Sequence, residues 1–166
     1  ILLKSNFKVF LRPHFKILKE SKNLIEEIIK EFGNNPNFSL EKGIIPSDIF
    51  NSSLCMISDW SGVAIEYTFA FEKPILYVDT PQKINNPECD QINLVPLEEK
   101  IRSQIGEVIS LSELSLIPSK INQLLLSENK FKDKIQKIRE ETVFNIGNSG
   151  EQGAKYLLEL KKSLVS

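Results

Sequence analysis

One stretch, Leu54 to Asp79 (LCMISDWSGVAIEYTFAFEKPILYVD), does most to limit what this chain can become. It opens with the apolar run Leu54 to Ile57 and breaks at Ser58-Asp59-Trp60-Ser61-Gly62. A helical pattern follows from Val63 to Phe71, and a second apolar run, Ile75 to Val78, closes it. The order is strand, tight turn, helix, strand. Between parallel strands such a crossover is right-handed in nearly every fold, and it carries the turn to the carboxyl edge of the sheet, where open α/β sheets bind ligands. Small residues and helix-capping side chains make up the turn. That composition leaves the N–H groups of the first helical turn free to face an anion, with phosphate the first candidate.

The segments on either side continue the alternation. Phe7 to Leu11 is β-prone and stops at Arg12-Pro13-His14, where proline removes a donor. From Ile17 to Phe32 apolar residues recur near the helical period, and Gly33-Asn34-Asn35-Pro36 ends the pattern. Phe38 to Glu41 reads as a weak strand, Gly43-Ile44-Ile45-Pro46 as a loop, and Ser47-Asp48 as the cap of a short helical turn through Ser52. Beyond Asp79 lies a polar stretch, TPQKINNPECDQ, too long for a simple connection; loops of that length in compact domains are often functional. Pro96 to Ile105 reads as a helix stopped by Gly106, and Glu107 to Ser110 as a last short strand. Leu111 to Leu126, Phe131 to Val143 and Glu151 to Leu164 read as helices. The expected fold is α/β: a Rossmann-like, doubly wound parallel sheet with a helical C-terminal tail, in one domain.

Charge and cysteine usage narrow the function classes. With 21 basic against 22 acidic residues in 166, no net field draws in nucleic acid, and Lys and Arg are scattered along the chain. No apolar run approaches the roughly 20 residues of a bilayer span, and the start lacks a signal-peptide pattern, so a cytoplasmic protein is expected. Cys55 in a strand pattern and Cys89 in a polar loop have neither zinc-site nor disulfide-framework spacing and read as plain thiols. The chain opens on Ile1, and its one methionine is Met56, which reads as a piece of something longer or a processed product, unless leading residues are disordered.

Few residues are candidates for chemistry. Arg12 and His14 lie two apart at a strand end, so their side chains can leave on one side: an arginine fork for phosphate oxygens beside a histidine that donates or carries a proton. The competing reading is a solvated strand end with the histidine packed on the next helix. Asp59, Ser61 and Gly62 are either ordinary caps and a tight turn or the other half of a diphosphate grip. Glu66, one helical turn beyond Gly62, is either exposed helix surface or a carboxylate for a ribose diol. Trp60 packs on a neighbouring loop or stacks on a ligand, with packing favoured, while Cys55, Met56, Tyr67 and Phe69 belong to the core. Asn148, Ser149 and Gly150 form a second polar turn, either a pair of helix caps or N–H donors from an opposite wall. No metal cluster, Gly-x-Ser-x-Gly elbow or Walker-type loop is present in the sequence, which disfavours a self-contained hydrolase or phosphate-loop ATPase.

Read in order, F-L-R-P-H and then S-D-I-F-N-S-S-L-C-M-I-S-D-W-S-G-V-A-I-E-Y-T-F-A-F-E-K-P-I-L-Y-V-D resemble the C-terminal half of CDP-glycerol glycerophosphotransferases. These enzymes serve teichoic-acid and related capsule polymer synthesis, and their pattern runs R-P-H-P, then S-D-hhh-T-D-Y-S-S-hhh-D, then K-P. The likeness reaches F-N-I-G-N-S-G-E near the end, so it covers most of the chain. It departs at Phe15, in place of the second proline, at Gly62, in place of the second serine, and at Glu66, in place of the aspartate, which leaves the donor's identity open.

The resemblance implies one lobe of a GT-B-type transferase. Residues 1–166 would be the C-terminal nucleotide-donor-binding lobe, a fragment lacking its first strand and the N-terminal acceptor lobe. Arg12, His14, Asp59, Ser61 and Gly62 would contact or frame the donor diphosphate, with Glu66 near the glycerol or ribose. In the family an acceptor hydroxyl attacks the donor phosphorus and a nucleoside monophosphate leaves. Arg12, His14 and the helix N-terminus would stabilise the departing charge, and the general base would come from the other lobe. No cofactor is implied. The partners would be a nucleotide-activated polyol or sugar donor and a cell-surface polymer acceptor, and any membrane association, at the inner face of the cell membrane, would come from the missing part. Alternatives are a nucleotide-sugar glycosyltransferase or epimerase lobe and a non-catalytic GT-B-like interaction domain. The likeness also puts the absent strand between the R-P-H strand and the Leu54 strand. Without it, either those two strands close the gap or the sheet is rearranged.

Overall fold

The computed structural model describes residues 1–43, 46–82, 88, 91 and 94–165. A 3-10 turn at Leu2–Ser5 leads into strand β1 (Val9–Leu11), helices α1 (Phe15–Glu20) and α2 (Lys22–Phe32), and strand β2 (Phe38–Leu40). After α3 (Ser47–Ser52) come β3 (Met56–Ser58), α4 (Gly62–Phe71), β4 (Ile75–Asp79), α5 (Leu97–Ile105) and β5 (Gly106–Ser110). A 3-10 segment, Leu111–Leu116, then opens a helical stretch of α6 (Ile117–Leu126), α7 (Glu128–Thr142) and α8 (Ser149–Val165).

All strand pairing is parallel, as the alternation of strand and helix requires. It forms two sheets. In one, β1 pairs with β2, Val9 opposite Phe38; in the other the order is β3-β4-β5, with Met56 opposite Ile75 and Ile75 opposite Gly106. Among the described residues β1 and β3 therefore do not close on each other, and each is the outermost strand of its sheet.

The period-two alternation of β4 explains how the larger sheet is covered on both faces. Ile75 and Tyr77 face Ala64 and Tyr67 of α4, Ile101 and Ile105 of α5, and Ile135 and Ile138 of α7. Leu76, with Ile109 of β5, faces Ile117, Ile121 and Leu124 of α6. Complete burial of such a side chain is worth about 1.5–3 kcal/mol. No residue of β1 or β2 is buried, so the larger sheet carries the stability. Cys55, Met56 and Phe69 pack against these clusters and Tyr67 lies inside one, as their sequence context suggests.

Several boundaries differ from the sequence patterns for identifiable reasons. The apolar period from Ile17 to Phe32 belongs to two helices, because Ser21 leaves helical geometry (φ −123°, ψ 49°) and serves as the end of α1 and the start of α2. The Leu111 pattern starts as a 3-10 segment, closed by a capping box between Ser110 and Glu113, and α6 begins anew with Pro118 in its first turn. Of the expected helical tail, α6 and α7 belong to the core, and only α8 projects, exposed throughout its described side chains.

Two junctions hold the central unit in register. Lys73, which follows α4, sends Nζ to the carbonyl of Ser53 (2.7 Å) and to that of Asn51, at the carboxyl end of α3. Tyr67 and Ser53 share a hydroxyl hydrogen bond of 2.8 Å. At the other side of the sheet α5 runs directly into β5 at Gly106, where a Cβ would fall 2.0 Å from the carbonyl oxygen of Ile75. Among the described residues no helix is long and apolar enough to cross a membrane.

Candidate functional site

The carboxyl edge of the larger sheet is where β3 ends at Ser58 and the chain turns through Asp59, Trp60 and Ser61 into α4. Ser61 takes the extended geometry of an N-cap (φ −126°, ψ 128°), yet its side chain makes no capping bond, contrary to what the turn composition suggests. The Ala64 N–H turns back to the Ser61 carbonyl at 3.0 Å. The amides of Gly62 and Val63, two residues and one residue earlier, have no acceptor within the helix, as in any first turn. Around Gly62 nothing among the described residues lies within 4 Å of where a Cβ would sit, and Gly62 is exposed. Aligned peptide dipoles add roughly half a positive charge there.

Arg12, exposed at the end of β1, reaches the same region. A cleft of about 290 Å³ is lined by Arg12, by Phe50 of α3, and by Val63, Glu66, Tyr67, Ala70 and Phe71 of α4. Phe50, Tyr67 and Phe71 form an aromatic wall with ring centroids 5.5–5.9 Å apart. The strand end and one face of α4 therefore line one concavity, which carries Arg12 and Glu66 but not Gly62.

The other expected site residues stand elsewhere. The Nδ1 atom of His14 accepts the Lys16 N–H at 3.3 Å and so caps α1, and its ring packs on Phe15 at 4.3 Å. In that neutral tautomer the proton sits on Nε2, which remains a donor. Asp59 and Ser61 are half-buried in the turn, and neither lines the cleft. Asn148 and Ser149 are exposed at the start of α8, where the Asn148 N–H bonds to Asn145 and the Gln152 N–H to Asn148. This turn is not a wall of the cleft; its polar groups serve the entry to α8. Most of the polar stretch after Asp79, with Cys89, lies outside the described residues.

Trp60 packs rather than standing free. Its indole Nε1–H donates to the Thr80 carbonyl at 2.8 Å, and its ring face carries the guanidinium of Arg102, 3.7 Å from the centroid. Arg102 lies 4.9 Å from the Tyr77 ring as well and donates through Nη1 to Asp79 at 3.1 Å. Burial pushes the Tyr77 phenol up to about 12, so it stays neutral beside that cation. Arg102 was not singled out by sequence. Its only signal is a charged residue between Ile101 and Ile105 on a helix face that is otherwise apolar inward.

Burial also pushes the Cys55 thiol up to about 11, which keeps it protonated and a poor nucleophile near neutrality. Among the described residues no group of three His, Cys, Asp or Glu is placed to hold a metal. What the edge offers is hydrogen-bond donors, the means to bind an oxyanion, beside the carboxylates of Asp59 and Asp79. Comparison with family models, curated proteins and solved structures returned no match for this chain.

Proposed function

We propose that this chain is the nucleotide-donor lobe of a GT-B-type transferase that moves glycerol phosphate, or another polyol phosphate, from a CDP-activated donor to a cell-surface polymer acceptor. The observation that carries the reading is that Arg12 shares a cleft with Val63, in the first turn of α4, and with Glu66. A diphosphate there would take the arginine fork on one side and backbone amides on the other. Glu66 lies where a diol could meet a carboxylate. The parallel α/β architecture and the spaced motifs around Arg12 and Trp60 agree with this assignment. Attack on phosphorus needs a base from outside these residues, so the chain alone binds donor and does not turn it over.

Calorimetry with CDP-glycerol, CDP-ribitol and UDP-sugars tests the proposal. Preference for a CDP-polyol is expected, and Arg12→Ala should weaken it about 10- to 100-fold, the worth of a charge-assisted hydrogen-bond pair. Preference for UDP-sugars would move the assignment to a glycosyltransferase or epimerase lobe. A second reading, a non-catalytic interaction domain, is favoured by one observation: α8 exposes Tyr156, Leu157, Leu158 and Leu164 at 61–79 %. Absence of nucleotide binding, with Arg12→Ala behaving as wild type, would select it.

A further inference from the structure

Arg102 is the one charged side chain among the described residues buried to more than nine-tenths. A guanidinium so placed is stable when its donors are met, and here they are met in part. Its Nη1 reaches Asp79, but Nε and Nη2 are buried without a hydrogen-bond partner among the described residues. Those two nitrogens form one edge of the guanidinium, with parallel N–H bonds spaced for two oxygens of a single phosphate or carboxylate. The group is stacked on Trp60, the residue before the uncapped Ser61 of α4. The arginine fork thus stacks on the indole of the turn that leads into α4.

We propose that the Nε–Nη2 edge of Arg102 is a phosphate-binding fork, opened when Trp60 lifts from the Thr80 carbonyl. The ligand is a phosphate group, supplied by a nucleotide donor or by free inorganic phosphate. The inference rests on the reading of the α4 edge as a diphosphate site and adds to it a second arginine, one that does not line the Arg12 cleft, together with an indole that must move for the anion to enter.

Trp60 is the only tryptophan of the chain, so its emission reports on this stack directly. The full chain is titrated with inorganic pyrophosphate, orthophosphate and CDP-glycerol, following emission and heat together. A saturable change in Trp60 emission is expected, and Arg102→Lys, which keeps the charge but loses the fork, should weaken pyrophosphate at least about tenfold. If Arg102→Lys fails to fold by circular dichroism, Asp79→Asn replaces it. Removing the negative charge beside the fork should tighten pyrophosphate several-fold, and unchanged affinity would overturn the proposal. Nucleotide binding by calorimetry with silent Trp60 emission and no effect of Arg102→Lys would also overturn it, while leaving the donor-lobe reading intact. A Trp60 response to pyrophosphate without binding of any nucleotide would support the fork and remove the donor-lobe reading. Orthophosphate as effective as CDP-glycerol would assign the fork to free phosphate.

Discussion

Glu72 holds a left-handed backbone conformation, φ 55°, at the end of α4, a place where glycine is the usual residue. Its side chain explains the choice. The carboxylate accepts from Gln136 and Arg139 of α7, each at 2.8 Å, and lies 3.5 Å from Lys132. These partners, the Gln136 hydrogen bond first, hold its carboxyl below the ordinary 4.5. A depressed carboxyl contributes stability above its unfolded value and loses it as pH falls through the folded one. Glu72→Gln should therefore be less stable than wild type near neutrality, with the two urea midpoints converging as pH falls below the ordinary 4.5. At Gly106 the constraint is steric, since any side chain meets the Ile75 carbonyl. Gly106→Ala should cost at least about 2–3 kcal/mol in urea unfolding, as overpacking against backbone does. Neither effect is visible locally: Glu72 meets Arg139 across 67 residues of sequence and Arg102 meets Asp79 across 23. The places of Arg12 at a strand end and Glu66 on α4 were legible because strand ends and helices have readable signatures, whereas Arg102 is explained only by the partners the fold brings to it.

At the scale of elements, the strand-turn-helix-strand unit from Leu54 to Asp79 was legible because its apolar runs and its helical segment have different periods. The break at Ser21 and the 3-10 start at Leu111 were not, because a one-residue change of backbone leaves the apolar period almost intact. Nor does an amphipathic pattern say what covers it, which is why α7, bound through Ile135 and Ile138, and α8, bound by none of its described side chains, look alike in sequence. The short α3 illustrates a different dependence. Its end is held by Lys73 from beyond α4, and Phe50 within it forms part of the cleft. Lys73→Met should cost about 1–2 kcal/mol in global stability, as loss of a charged hydrogen bond to helix-end carbonyls does. It should also weaken nucleotide binding through a displaced Phe50, which calorimetry on the folded variant would register.

At the scale of the whole molecule, the parallel α/β class followed from the order of elements, but the division into two sheets did not, since the pairing of edge strands leaves no mark on either strand's own sequence. The division has a dynamic signature. In hydrogen exchange the amides of β4, paired on both sides and buried on both faces, should report global unfolding, while those of β1 exchange earlier through local opening. Equal protection of the two strands would contradict this. Arg12 belongs to the smaller sheet and the first turn of α4 follows a strand of the larger, with no ladder between the two sheets among the described residues. A molecule gripped from both sides would then serve as mortar between two blocks: saturating it should slow β1 exchange to the rate of β4 without any new strand pairing, so that occupancy itself sets how solid the protein is.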